Sequence, residues 1–179
     1  MCIRDRGKAE YETQVNLAYD PDDKYTTAER KLQHKSSMKL YDMTNQLGHA
    51  YFAMEDMHEQ ASKLATGAVK KKLQKKLAQF STDVEKYKAT LVSLEGDFYV
   101  EEGTALREEI STLYFGISNY PGVPSDRQLN KIKSLAKKMN TVQQKLDGFQ
   151  KEMAVINELL VKAELTPIKI KSFEEYMEE

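Results

Sequence analysis

The sequence predicts an all-α fold: an elongated, antiparallel, up-down bundle of three long or medium helices and one short helix. Three observations predict it. The four prolines, at positions 21, 121, 124 and 167, fall at proposed junctions and leave two long stretches without proline, as long helices require. Two capping boxes, Thr26–Glu29 and Ser125–Gln128, stand where helices would begin. Apolar residues after each box recur at alternating steps of three and four, the spacing of one helix face.

The apolar stripes place four helices in a bundle over residues 23–166. The stripe of the first helix is Leu40, Met43, Leu47, Ala50, Met54, Met57, Ala61 and Leu64. The second runs from Leu73 through Phe80 to Leu94, and a short third helix follows Thr104. The stripe of the fourth helix is Ile132, Leu135, Met139, Val142, Leu146, Phe149, Met153, Ile156, Leu160 and Ala163. A seven-residue repeat of this kind favours left-handed supercoiling of packed helices.

An orphan β-strand is predicted before the bundle. The residues Tyr11, Thr13, Val15, Leu17 and Tyr19 alternate with Glu12, Gln14, Asn16 and Ala18, which is typical of a half-buried strand. A single strand cannot satisfy its own backbone groups. We therefore expect residues 8–22 to be the last strand and linker of a truncated upstream β-domain; an extended arm packed on the helices is the alternative.

The two ends of the chain are interpreted separately. Residues 1–7 are interpreted as a non-native leader that takes no part in the predicted fold. Residues 167–179 are predicted to form an extended C-terminal tail that lies back over a bundle end. Its acidic end, from Glu174 to Glu179, is expected to be frayed.

Composition limits the functions to consider. The 179 residues suit one domain, or one domain and a fragment of another. Lys and Arg number 27 and Asp and Glu 28, a net charge of −1, which gives no global reason to expect a nucleic acid or an anionic membrane as partner. No apolar run reaches the length of a membrane span. The single cysteine, Cys2, excludes an internal disulfide or a cysteine-ligated metal site.

One helical pair has the spacing of metal ligands. Glu55 and His58, three residues apart, resemble half of the ligand set in di-iron bundles, which need two such pairs and two further carboxylates. The other histidines have no matching carboxylate, since Lys31 precedes His34 and Gln46 precedes His49. We therefore predict a solvated flank here and no metal site.

No catalytic or cofactor-binding residue is predicted either. His49, Asp56 and His58 could be read as acid–base machinery, but the two histidines are nine residues apart, about 13 Å along a helix. A nucleophilic serine would need a partnered base and an oxyanion pocket, and the sequence indicates neither. The sequence contains no glycine-rich phosphate loop.

The strongest charge cluster is Lys70–Lys76, which contains five lysines. It is either a patch for phosphate or an acidic partner, or the solvated shoulder of the second helix. No aromatic residue interleaves the lysines, as single-strand binding would favour, so no nucleic-acid partner is predicted. Three glycines inside the predicted helices, Gly48, Gly116 and Gly148, fit either close helix approach or simple tolerance.

Four segments occur in an order that resembles a known family. They are Leu17–Pro21, Leu106–Leu113, Tyr120–Pro124 and Ile156–Leu159. The order resembles the C-terminal end of large bacterial proteins with sortilin-like β-propellers of BNR-type repeats, often labelled glycosyl hydrolases. In those proteins a β-sandwich follows the propeller and a helical bundle ends the chain. The matching residues contain no catalytic motif. The resemblance implies an exported parent protein whose hydrolase or ligand-binding activity belongs to the propeller.

The sequence therefore predicts a non-catalytic C-terminal helical bundle with a structural or positioning role toward an upstream β-domain of the same parent chain. The alternative is a free-standing, coiled-coil-like module that binds a protein partner or itself. A metal-dependent bundle enzyme is the third hypothesis.

Overall fold

The computed structural model describes residues 13–18, 20, 22, 24–67, 70–93 and 105–178. These residues form five helices: α1 (Thr27–Thr66), α2 (Lys71–Lys88), α3 (Leu106–Ser118), α4 (Asp126–Lys162) and α5 (Phe173–Met177). No described residue lies in a β-strand. The prediction of an all-helical bundle is confirmed.

Helices α1 and α4 begin at the predicted capping boxes. Thr26 Oγ1 accepts a hydrogen bond from the Glu29 backbone N–H (3.3 Å), and the Glu29 carboxylate accepts one from the Thr26 N–H (2.7 Å). The hydrogen bonds that the Glu29 carboxylate accepts from the Thr26 N–H and the Thr26 hydroxyl lower the pKa of Glu29. Ser125 and Gln128 make the same reciprocal pair. Each box satisfies backbone donors that the first turn leaves free.

Helix α1 is the spine of the bundle, because it contacts each of the other four helices. Its 40 residues span about 60 Å. Near its start, Gln33 donates a hydrogen bond to the carbonyl of Ile117 at the end of α3 (2.9 Å); near its end, the Ala65 carbonyl accepts one from Gln74 at the start of α2 (2.9 Å). Helices α2 and α3 therefore run antiparallel to α1 and form one interrupted column.

Helix α4 forms the third column and runs parallel to α1. At its N-terminal end, Lys131 and Lys138 contact the carboxylate of Glu109 in α3. Farther along, the ring of Phe149 lies edge-on to Phe80 of α2, with centroids 6.3 Å apart. The core lies between the three columns. Its largest fully buried side chains are Phe80, Leu40, Met54, Met57, Leu77, Ile110, Ile117, Leu135, Leu146, Ile156, Leu160 and Val84.

The predicted orphan β-strand is wrong for the described residues. Residues 13–18 belong to no strand and all are exposed, with Val15 at 72% and Leu17 at 96% exposure. A strand needs a neighbour for its backbone hydrogen bonds, and no described segment pairs with this one. These exposed side chains do not pack on the helices either. Residues 8–12 and the leader at 1–7 lie outside the described residues.

Helix α4 ends in a Schellman motif that turns the chain back over the bundle. The Leu165 N–H bonds to the Leu160 carbonyl (2.9 Å) and the Glu164 N–H to the Val161 carbonyl (3.0 Å), the two bonds that define the motif. Glu164 takes the left-handed conformation, with φ of 58°, where glycine is the usual residue because it has no Cβ.

Replacing Glu164 by glycine is expected to raise the free energy of unfolding by about 0.5–1 kcal/mol, since it relieves the left-handed conformation of a residue with a Cβ. Urea unfolding monitored by far-UV circular dichroism measures it. Glu158→Gly, in the exposed interior of α4, is the matched control and is expected to destabilise by about 1 kcal/mol. Destabilisation by both variants would contradict the assigned turn.

Beyond this turn, the predicted extended tail is fixed by side chains of α1 and α4. The Asn157 amide pairs with both backbone polar groups of Ile168 (2.8 and 2.9 Å), and the Gln60 amide pairs with those of Lys169 (2.6 and 3.0 Å). Ile168 is buried in the core. The acidic end, expected to be frayed, forms α5 behind a third capping box, between Ser172 and Glu175.

The tail accounts for one of the three helical glycines. A Cβ at Gly48 would lie 2.4 Å from the Tyr176 hydroxyl oxygen of α5, whereas a Cβ at Gly148 would meet no atom within 4 Å. The nearest atom to a Cβ at Gly116 would be 3.8 Å away, an ordinary contact. Close approach therefore explains Gly48, and Gly148 stands in open space.

Gly48, which has the closest neighbour, and Gly148, which has none within 4 Å, provide a matched pair of variants. Gly148→Ala is expected to raise the free energy of unfolding by about 1 kcal/mol, the difference in helix propensity. Gly48→Ala should gain clearly less, because the new methyl group displaces Tyr176. Urea unfolding compares the two variants, and hydrogen exchange of the α5 amides should accelerate only in Gly48→Ala. Equal gains with unchanged exchange would show that α5 does not rest on α1.

Candidate functional site

The Glu55–His58 pair lies at the interface of α1 and α2, beside a buried lysine. The Lys88 side chain is 5% exposed and its Nζ contacts the Glu55 carboxylate and, at 2.7 Å, Glu85 Oε2. The same Nζ lies 5.4 Å from the centroid of the Tyr51 ring. Both carboxylates of this α1–α2 ion cluster (Glu55, Glu85 and Lys88) are therefore held by one cation.

His58 turns to other partners. Its Nδ1 lies 2.9 Å from Ser81 Oγ and 3.1 Å from the Ser81 carbonyl oxygen, and its Nε2 lies 3.8 Å from Glu85 Oε2. Glu55 and His58 thus bond to different groups of α2. In the part of the chain that the structure describes, no three His, Cys, Asp or Glu residues are grouped so as to hold a metal ion. The contacts of Glu55 and His58 therefore link α1 to α2.

The electrostatics of Lys88 keep it cationic. Burial is the largest effect on the pKa of Lys88 and acts to lower it, but the hydrogen bonds and negative charges of Glu55 and Glu85 outweigh burial and raise the pKa above its ordinary value. A catalytic lysine needs the neutral amine, which a lowered pKa supplies. The ion cluster therefore favours a structural role over nucleophilic chemistry.

The other candidate acid–base residues divide between two places. His49 and Asp56 line a small cavity beneath the tail, together with Lys171, and His49 Nε2 lies 3.1 Å from the Lys171 carbonyl oxygen. His58 lies in the separate contact with Ser81. The three candidate residues are therefore not assembled into one site. His49 instead helps to hold the tail, and its ring lies edge-on to Phe173.

The basic cluster lines an open groove of about 820 Å³ between the start of α2 and the end of α4. We call it the lysine groove. Its residues are Lys70, Lys72, Leu73, Lys76, Val155, Leu159, Lys162, Ala163, Glu164 and Leu165. The sequence pattern identified the lysines of α2 and the neighbouring Leu73. It did not identify Lys162, Val155, Leu159 or Leu165, which come from a distant part of the chain. The groove is an apolar surface between cationic rims.

Comparison with known protein families, curated proteins and solved structures found no match to this chain. Among the described residues, no helix combines the length and the apolar character needed to cross a bilayer. The assignment of function therefore depends on the chemistry of the ion cluster and the lysine groove.

Proposed function

We propose that the chain is a non-catalytic helical bundle that positions a β-domain preceding it in a larger exported protein. The observation that carries the non-catalytic part of this proposal is that Glu55 and His58, the residues with spacing suited to metal binding, bond to α2 instead. The 40-residue spine α1, which contacts every other helix, suits a rigid spacer of about 60 Å. The proposal of a preceding β-domain rests on the resemblance of the sequence to sortilin-like propeller proteins.

The source DNA tests this proposal. Sequencing upstream of the codon for Gly7 should reveal an in-frame extension that encodes β-repeats. Any hydrolase or ligand-binding activity would then be sought in those repeats. A start codon with a ribosome-binding site at that position would contradict the positioning role.

A second candidate function is a free-standing module that binds another protein or a second copy of itself. The lysine groove favours it, because apolar side chains remain accessible there between charged rims. Sedimentation across a wide concentration range tests self-association, which predicts assembly that grows with concentration. A monomer at every concentration would exclude self-association and direct the search to a different partner.

A further inference from the structure

We infer that the lysine groove binds an acidic amphipathic helix of a partner protein. This inference rests on the second candidate function and names the partner's chemistry. An amphipathic helix binds by laying its apolar face into a groove, and carboxylates beside that face would meet the lysine rims. Three features of the groove carry the inference. Helix α4 has a second apolar face outside the core, the lysines have no acidic partners among the described residues, and the lining suits a helix better than a nucleic acid.

The apolar surface of the groove includes side chains that are not part of the hydrophobic core. Val155 and Leu159 are four residues apart, so they share one face of α4, and they are 49% and 38% exposed. The core face of the same helix is made by their neighbours Ile156 and Leu160, both fully buried. Helix α4 therefore carries a second apolar face, which opens into the groove.

The rims concentrate positive charge that the described residues do not neutralise. Lys70, Lys72 and Lys76 line the α2 side and Lys162 the α4 side, and within the described residues none of them is in an ion pair. Glu164 is the single acidic residue of the lining. Mutual repulsion of four ammonium groups would be relieved by carboxylates brought by a partner.

The start of α2 adds to this preference for acidic groups. Helices α1, α4 and α5 begin with capping boxes and acidic residues in the first turn, but α2 begins without a side-chain cap or an acidic residue. Its lysines lie at the positive end of the helix dipole, where anions are favoured. A partner's carboxylate there would supply the negative charge that the other helices provide for themselves.

The residues that line the groove suit an acidic helix better than a nucleic acid. The phosphates of a nucleic acid could pair with the lysine rims, but a nucleic acid offers no aliphatic surface to the Leu73, Leu159 and Leu165 side chains. The lining also has no aromatic residue on which a base could stack. An acidic amphipathic helix offers both an apolar ridge and flanking carboxylates. We therefore favour this one occupant.

Fluorescence anisotropy with a labelled synthetic peptide tests the inference. The peptide carries leucine at i, i+4, i+7 and i+11, glutamate on both flanks, and alanine and glutamine elsewhere. We expect saturable binding that weakens at least about tenfold in the triple variant Lys72→Glu, Lys76→Glu, Lys162→Glu, and as much in Leu159→Gln. Lys72→Glu places a carboxylate in the first turn of α2, which supports folding, and circular dichroism verifies that each variant is folded.

The matched control changes the same charge elsewhere. Lys35→Glu, Lys137→Glu, Lys151→Glu alters three exposed lysines outside the groove and should leave peptide affinity within about twofold of the wild type. Equal weakening by both triple variants, equal binding of a scrambled peptide, or tighter binding to anionic vesicles or an oligonucleotide would overturn the inference. So would the absence of peptide binding. None of these results contradicts the positioning role, which the upstream DNA tests separately.

Discussion

Replacing Phe80 by alanine is expected to lower the free energy of unfolding by about 4 kcal/mol, the typical cost of truncating a fully buried aromatic residue. Phe80 is 0% exposed, and its ring joins α2 to α4 through the edge-on contact with Phe149. The variant loses the transfer free energy of the ring and leaves a cavity that long, packed helices cannot close. Urea unfolding monitored by circular dichroism measures the loss.

Phe115→Ala is the matched control for Phe80→Ala, because Phe115 is in the neighbouring helix α3 and is 60% exposed. Its cost should stay within about 0.5 kcal/mol. The double variant of Phe80 and Phe149 should show a coupling of about 0.5–1.5 kcal/mol, the typical worth of an aromatic pair. Equal costs for Phe80 and Phe115 would contradict the packing of α2 between α1 and α4.

The burial of Phe80 could be predicted because it depends on a local pattern. The apolar stripe of a helix faces the core regardless of which other elements form that core. The burial of the stripe residues Leu40 and Leu135 is therefore also predicted correctly. Capping boxes are equally local, and those at Thr26 and Ser125 marked the starts of α1 and α4.

Features that depend on a distant partner could not be predicted. Alternation at residues 13–18 has the period of a strand, yet a strand also needs a neighbour, and no described segment supplies one. The tail is held by amides that reach its backbone from far along the chain, Gln60 to Lys169 and Asn157 to Ile168. An exposed glutamine or asparagine in a helix gives no signal of this role.

The candidate sites divide in the same way. The lysines of α2 are adjacent in sequence and were identified as a cluster, but the groove exists only because α4 brings Leu159 and Lys162 to the start of α2. Lysine is almost never fully buried without a partner. The burial of Lys88 therefore depends on Glu55, 33 residues away, and no sequence pattern indicated the pair.

Replacing Lys88 by methionine is expected to lower the free energy of unfolding by about 2 kcal/mol. The variant keeps the buried stem but leaves two carboxylates at the α1–α2 interface without their cation. Breaking a fully buried ion pair costs about 3–5 kcal/mol; the Glu55 and Glu85 side chains are 32% and 40% exposed, so water takes up part of that cost. Lys86→Met is the matched control, since Lys86 is exposed in the same last turn of α2.

The pH dependence of the difference between wild type and Lys88→Met separates charge from packing. Because the pKa of Lys88 is raised in the folded protein, its charge contributes in full below the ordinary lysine pKa of about 10.4, and that contribution is lost as pH rises through the higher folded value. Unfolding curves at rising pH should therefore show a constant difference up to about pH 10 and a shrinking one above it. Tyrosine side chains ionise in the same pH range, and the Tyr51 ring centroid lies 5.4 Å from Lys88 Nζ, so both proteins carry Tyr51→Phe in this comparison. A difference that persists at high pH would mean that the charge of Lys88 is not what stabilises the interface, and the ion cluster would lose its assigned role.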